Sequence, residues 1–331
     1  QKVGYMVTQT ELTKLKKLKE YEWLKECGSQ SLQMALRDLD SAYSRFFKKQ
    51  GGYPKFKSNK HTSQSFTAPQ NIKVLNSCVY LPKFTKEGIK VKLHREIPQN
   101  PTLKQATVSR HNNQYFVSIL IDDGNPIPKP TKSKNTIGLD MGLTDLIITS
   151  NGEKYENNKY FVKSQQKLKK LQRRLSKKQK GSNNRQKAKL RIQKLHTRVA
   201  NQRKDTLHKI SNEITNHYDI ICIETLNIRG MQKNRRLAKA IAEVAWSEFK
   251  RQLEYKAQWR GKTILKIDQW IPSSQICSNC GVSDGKKELG IRKWECSECI
   301  SIHDRDINAA VNIKNYGLSQ IDQSNKIVKI R

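Results

Sequence analysis

Four cysteines fall into two Cys-x-x-Cys pairs, Cys277 with Cys280 and Cys296 with Cys299, and 15 residues separate the pairs. Each such turn aims two sulfurs at one point, and this separation suits a four-thiolate zinc ribbon. A shell closed by four thiolates leaves no position for a substrate, so the Zn2+ is expected to be structural. Carboxylates offer different chemistry. Asp140 stands inside the apolar run "TIGLDMGL", where a charge is costly unless something binds it. Glu224 ends "IICIE", at the carboxyl end of a strand, where α/β sheets place their sites. A third acid comes from "CSECISIHDRDINAA", which holds both Asp304 and Asp306. At about 100° per residue, the two point about 200° apart on a helix. Ile307, Ala309, Ala310, Val311 and Ile313 define an apolar arc that contains Asp306 and leaves Asp304 outside. Asp306 is therefore expected to face a sheet, and Asp304 to serve the helix start as a cap or a dipole-facing charge.

The elements that must position these acids can be read from the same sequence. From residue 136 the patterns run strand, strand, third strand, helix, strand, helix, strand, cysteine insertion, helix. Asn151-Gly152 is a favoured two-residue hairpin turn between the second and third strands. The apolar stretch at 218–225 reads as a strand buried on both faces. One helix is expected over about residues 235–259, and a strand at 263–268 follows it. Acids on the first strand, the fourth strand and the last helix match the order of the RNase H-like nuclease fold, an α/β fold whose carboxylates converge on divalent cations. Two Mg2+ ions there could activate a water and stabilise the leaving oxygen of a phosphodiester.

Charge points to the same substrate class. Lys and Arg number 64 against 29 Asp and Glu, a net charge of +35, which implies a polyanionic partner. Residues 163–204 hold 17 Lys or Arg and no acid, and they read as a basic helical hairpin divided at "GSNN". Lys169, Arg173, Arg174, Lys177 and Arg191 are its candidate phosphate contacts. No apolar run approaches the roughly 20 residues that span a bilayer, so no membrane partner is expected. The paired cysteines suit a reducing, intracellular compartment. Upstream, residues 9–50 read as two helices, the second with a packing face of Leu32, Leu36, Leu39, Tyr43, Phe46 and Phe47. Residues 71–122 alternate as antiparallel strands, and "GNPIPKP" reads as a linker.

Taken together, "GLDMGLTDLIITSNG", "IETLNIRGM", "CSNCG…WECSEC" and "HDRDINAAVNI" resemble TnpB, the protein encoded by many bacterial insertion sequences, and its descendants among the miniature type V CRISPR effectors. "WLKECGSQSLQMALRDLDSAYSRFF", "YPKFKSNKHTSQSF" and "VYLPKF" resemble that family's N-terminal half, so the likeness spans nearly the whole chain. The resemblance implies a transposon-associated, RNA-guided DNA endonuclease, with a guide RNA derived from the transposon end and a double-stranded DNA target. Its RuvC-type nuclease domain would occupy 131–331, with Asp140, Glu224 and Asp306 as the metal-binding acids, the basic hairpin at 159–210 and the zinc ribbon inserted at 272–303. A helical recognition segment at 1–50 and a wedge-type β-barrel at 51–130 would hold the RNA scaffold and read a short target-adjacent motif. By family position, Lys60, Gln64 and Thr107 are the candidate readers.

There are two departures. Ile300 follows the fourth cysteine where the family commonly has Gly, and a β-branched residue resists the positive φ such a knuckle needs. The usual opening strand of the wedge domain would precede Gln1, and the chain begins with Gln and not Met. The implied setting is the cytoplasm of a bacterium or archaeon, near the nucleoid, with one chain per guide favoured over two. Two other readings compete: a non-cleaving RNA-guided DNA-binding regulator, and a transposition accessory protein that works without a guide.

Overall fold

The computed structural model describes residues 4–57, 63–84, 86–98, 101–130, 135–288 and 290–328 of the chain. Lys60 lies outside the described residues. The chain divides into two compact units, Gln1–Pro126 and Ile127–Arg331.

The first unit opens with α1 (Tyr5–Leu15), a 3-10 segment (Lys19–Lys25) and α2 (Ser29–Phe47). Strands β1 (Ser63–Ala68), β2 (Lys73–Leu75), β3 (Cys78–Tyr80), β4 (Ile89–Lys90), β5 (Thr102–His111) and β6 (Gln114–Asp122) follow. They form two three-stranded antiparallel sheets, ordered β1-β5-β6 and β2-β3-β4. Ala68, Ile72, Val79, Leu81 and Ala106 make one core between them. Among the described residues no ladder joins the two sheets, so their closeness comes from apolar packing. The arc predicted on α2 is only half covered, since Leu39 and Phe47 are exposed and α2 has no fully buried residue.

The second unit carries β7 (Thr136–Asp140), β8 (Asp145–Thr149), β9 (Lys154–Glu156), α3 (Tyr160–Ser176), α4 (Asn183–His217) and β10 (Ile220–Glu224). Then come α5 (Ile228–Met231), α6 (Ala238–Val244), α7 (Trp246–Trp259), β11 (Thr263–Ile267), the ribbon strands β12 (Lys293–Glu295) and β13 (Ile302–Asp304), and α8 (Arg305–Val328). The five-stranded sheet is ordered β11-β10-β7-β8-β9, with β10 parallel to both neighbours and β7-β8-β9 antiparallel. This is the element order expected from the sequence.

Two local details differ from expectation. The Asn151-Gly152 turn is a three-residue loop, residues 150–152: Gly152 N–H donates to Thr149 O (3.0 Å), Thr149 N–H donates to Glu153 O (2.9 Å), and Gly152 takes φ 89°. A two-residue turn of the mirror-image type would need Asn151 at positive φ as well. Asn151 instead keeps an ordinary φ, and its Nδ2 donates to the Tyr218 hydroxyl at 2.9 Å. The single helix expected over 235–259 is broken at Ala245, whose φ is 53°. The break lets Val244, Trp246 and Phe249 all reach the core, while Glu243 accepts from Phe161 N–H (2.8 Å) at the start of α3.

Strand parity decides which helix meets which face. Ile137, Leu139, Ile221 and Ile223 point to one side and pack under α4 and α7 with Leu207, Ile214, Phe249 and Leu253. Cys222 points to the other side, where Ile313 of α8 covers it. Gly138 shares that side: a Cβ built there would lie 2.1 Å from Ala310 O. A Cβ on Gly317 would lie 2.4 Å from Cys222 Sγ. Helix α8 therefore rests on β7 and β10 almost backbone to backbone, with Ala310 fully buried in the seam. Gly138→Ala should force α8 off the sheet, with a loss of about 1–3 kcal/mol as for other overpacked cores. A denaturant titration checks this, and unchanged stability would contradict the packing described.

Candidate metal centres and nucleic-acid interface

The register that seats α8 also assembles the acids. Ile223 pairs with Leu139 across the parallel β10–β7 ladder, so the next positions along, Glu224 and Asp140, are neighbours at the carboxyl ends of their strands. Both follow a residue that points into the α4–α7 core, so both turn toward α8. Asp306 lies in the first turn of α8. Asp140 feels both other acids: burial first, then the charges of Glu224 and Asp306, push its carboxyl up to about 7, with only partial relief from the Met141 N–H and Arg305. Burial also raises Glu224, offset in part by Ser273, whose hydroxyl donates to Glu224 Oε1 at 2.6 Å. Asp306 Oδ2 accepts from Arg292 Nη1 at 2.9 Å, and Arg292 belongs to the ribbon insertion. Among the described residues, the three acids are not drawn into a tight ligand cluster as the thiols are. Three neighbouring, partly enclosed carboxylates supply the oxygen donors that hard divalent cations take.

Asp304 ends β13 and caps α8, its Oδ1 accepting from Asp306 N–H (3.1 Å) and Ile307 N–H (3.2 Å). Its Oδ2 meets Lys154 Nζ at 2.6 Å. Burial pushes Asp304 upward, but Lys154 and the two N–H groups outweigh it and hold the carboxyl below the usual range. The helix-start role expected for Asp304 is the one it has.

The four sulfurs of Cys277, Cys280, Cys296 and Cys299 lie within 4.8 Å of one another. Cys277–Cys299 and Cys280–Cys296 are each 3.6 Å apart, close to the roughly 3.8 Å edge of a tetrahedron with Zn–S near 2.3 Å. The set fits zinc. The two knuckles are matched: Gly281 N–H donates to Cys277 O (2.9 Å) and Ile300 N–H to Cys296 O (3.0 Å). Gly281 takes φ 80° and Ile300 φ 57°, so Ile300 adopts the left-handed conformation its side chain disfavours. Two groups beside the sulfurs were not singled out from the sequence. His303 Nε2 lies 3.0 Å from Cys277 Sγ, and the Ser301 hydroxyl and N–H hold the Cys299 thiol down to about 5.

The basic hairpin is present as α3 and α4. Lys169, Arg173, Arg174 and Lys177 are exposed and line one shallow groove along α3 with Gln166 and Lys170, while Arg191 is exposed on α4. Not every cation is free for phosphate: Arg185 donates to Leu175 O and Lys178 O, and Arg203 donates to Ala242 O. In the first unit, Thr107 pairs with Thr67 across β5 and β1 (Oγ1–Oγ1 3.0 Å), while Gln64 stands opposite Arg110. Parity puts Gln64 and Thr107 on opposite faces of that sheet. Residues 41–86 contain no acid, and within them Phe47, Tyr53 and Phe56 are exposed beside Lys48, Lys49, Lys55 and Lys57. No helix among the described residues is long and apolar enough to cross a membrane.

Residues 107–235 match the family described as "Probable transposase", and residues 246–313 match the "Cas12f1-like, TNB domain". A protein of Streptomyces pristinaespiralis named as a putative RNA-guided DNA endonuclease is 37% identical over 320 residues, 96% of this chain and 79% of the relative. Escherichia coli K12 InsQ, named in the same way, is 34% identical over 319 residues, 91% of this chain and 78% of the relative. The chain belongs to the TnpB family. Mimivirus proteins named as TnpB-like are 33% identical over 130 residues, 37% of this chain and 24% of the relative. The Cas12f1 chain from a cryo-EM structure of Cas12f1 with sgRNA and target DNA shares the TnpB fold at a TM-score of 0.52 and 16% identity, covering 87% of this chain and 70% of that one.

Two tests follow from the site. Between the ordinary carboxylate range and about 7, the folded protein holds a proton on Asp140 that the unfolded chain releases. Metal-free stability should therefore fall as pH rises from about 4 to about 7 and level off above. Asp140→Asn should flatten that slope in thermal melts with chelator present. Ile300 is 63% exposed, so Ile300→Gly removes backbone strain and little packing. A gain of roughly 1 kcal/mol is expected, seen as slower zinc release to a chromogenic chelator.

Proposed function

We propose that this TnpB-family chain is an RNA-guided DNA endonuclease that cuts target DNA beside a short adjacent motif by a two-metal-ion mechanism, as part of a transposon. The observation that carries this reading is geometric: Asp140 and Glu224 are neighbours at the carboxyl ends of parallel strands, and Asp306, whose charge the Asp140 carboxyl feels, lies in the first turn of the helix packed on those strands. Relatives of more than 30% identity named as RNA-guided DNA endonucleases support it.

Divalent ions, when bound, would supply the activated water and the charge that stabilises a leaving oxygen. The chain's part is to hold and orient. Asp140, Glu224 and Asp306 would hold Mg2+, and Arg292, paired with Asp306 Oδ2, offsets part of the charge there. Cys277, Cys280, Cys296 and Cys299 would hold a structural Zn2+, their four thiolates leaving no position for a substrate. Lys169, Arg173, Arg174, Lys177 and Arg191 would hold the nucleic-acid backbone, while pairing to the guide chooses the sequence. Lys60, Gln64 and Thr107 are proposed readers of the adjacent motif. Exposed Phe47, Tyr53 and Phe56, set among lysines, suit stacking on unpaired bases. The same reading puts the protein in the cytoplasm at the nucleoid, one chain per guide.

Sequencing RNA that copurifies with the protein should return one discrete species. With that RNA and Mg2+, matched duplex should be cut. Asp140→Ala and Glu224→Ala should each reduce cleavage to background while target binding persists; cleavage by either variant would refute the site. Lys169→Ala and Arg173→Ala should each lower the slope of log Kobs against log salt by about 1.

A further inference from the structure

We propose that Ser273, at the foot of the zinc ribbon, is a positioning residue for Glu224, and that the ribbon thereby sets the geometry of the nuclease carboxylates. This rests on the endonuclease reading above. Ser273 is buried, 49 positions beyond Glu224 in the chain, and its hydroxyl donates to Glu224 Oε1 at 2.6 Å. A carboxylate at a strand end is otherwise free to rotate, and a fixed donor on one oxygen leaves the other with a defined direction.

Ser273 is itself held. Its N–H donates to Ile271 O (2.8 Å), and its carbonyl accepts from Asn312 Nδ2 (2.8 Å) on α8. Asn312 Nδ2 and Asn308 Nδ2 both donate to Ile276 O, each at 2.7 Å, and Asn308 Oδ1 accepts from Ser278 N–H at 2.8 Å. The peptides on either side of the zinc-site residue Cys277 are thus gripped by two asparagines one helical turn apart. These asparagines are 2% and 4% exposed, and a buried amide carries a cost unless its partners are met. The same helix carries Asp306 two residues before Asn308. One continuous network therefore joins Cys277, Ser273, Glu224 and the helix of Asp306. The insertion thus contacts two of the three acids, Glu224 through Ser273 and Asp306 through Arg292.

The test uses the full chain with its copurified RNA. Ser273→Ala should leave target-duplex affinity near wild type and lower the melting temperature by only the few degrees that one lost buried hydrogen bond costs. Direct Mn2+ binding, followed by the paramagnetic relaxation of water, should weaken by about 10-fold, within the 10–100-fold usual for groups that orient ligands. Cleavage rate should fall by a similar factor. Ser273→Thr, which keeps the hydroxyl, should restore both. Unchanged Mn2+ affinity in Ser273→Ala, or a Thr variant as impaired as Ala, would overturn the proposal, as would wild-type protein that binds no Mn2+. Wild-type protein that binds Mn2+ and still leaves matched DNA whole would instead sink the endonuclease reading. The Mn2+ comparison among the variants would then still decide the role of Ser273.

Discussion

Helix α8 approaches the sheet more closely than side chains ordinarily permit, and the acid site depends on that contact. Gly138 removes the Cβ that would strike Ala310 O, and Gly317 removes the one that would strike Cys222. Dispersion and apolar burial at the seam hold the helix down, with Ala310 and Ile313 fully covered. Because Asp306 is in the first turn, a small displacement of α8 would move its carboxylate away from Asp140 and Glu224. A packing contact between backbones therefore sets a distance between charges.

That contact works against electrostatics. Burial first, and then the charges of Glu224 and Asp306, push the Asp140 carboxyl up to about 7, so seating the acids beside one another costs energy. Hydrogen bonds and ion pairs contain the cost: Ser273 on Glu224, Arg292 on Asp306, and Lys154 on Asp304 at the helix cap. Two of the three partners, Ser273 and Arg292, come from the ribbon insertion, so the zinc-site module and the acid site are stabilised through one another. Elsewhere the problem is reversed. A net charge of +35 leaves many cations unmatched, and the hairpin spends Arg185 and Arg203 on helix carbonyls while Lys169, Arg173, Arg174 and Lys177 stay in water.

Much of this is legible in the amino-acid sequence alone. Strand periodicity and the apolar run at Ile220–Glu224 determined the order of the elements in the second unit, because a strand buried on both faces has few alternatives. The cap role of Asp304 was legible from its place at the helix start, but the helical angle between Asp304 and Asp306 does not apply, because Asp304 ends β13 and α8 begins at Arg305. Cysteine spacing defined the ribbon, and the β-branched Ile300 marked a strained knuckle that has positive φ. Local rules reached less far where tertiary contacts compete with them. The break at Ala245 accompanies the simultaneous burial of Val244 and Trp246, and the Asn151-Gly152 loop comes with a bond from Asn151 to Tyr218.

The network behind the acids was out of reach for a different reason. Asn308 and Asn312 are polar residues in an apolar arc at i and i+4, which is a readable anomaly, but nothing in the sequence says which carbonyls they would meet. Ser273 looks like any loop serine until the fold brings it to Glu224. Residue type, spacing and period determined which groups could do chemistry and which face each would take, since those follow from bonds along the chain. Which serine, arginine and asparagine would orient them was decided only by tertiary structure, because that requires distances between segments the chain does not itself connect.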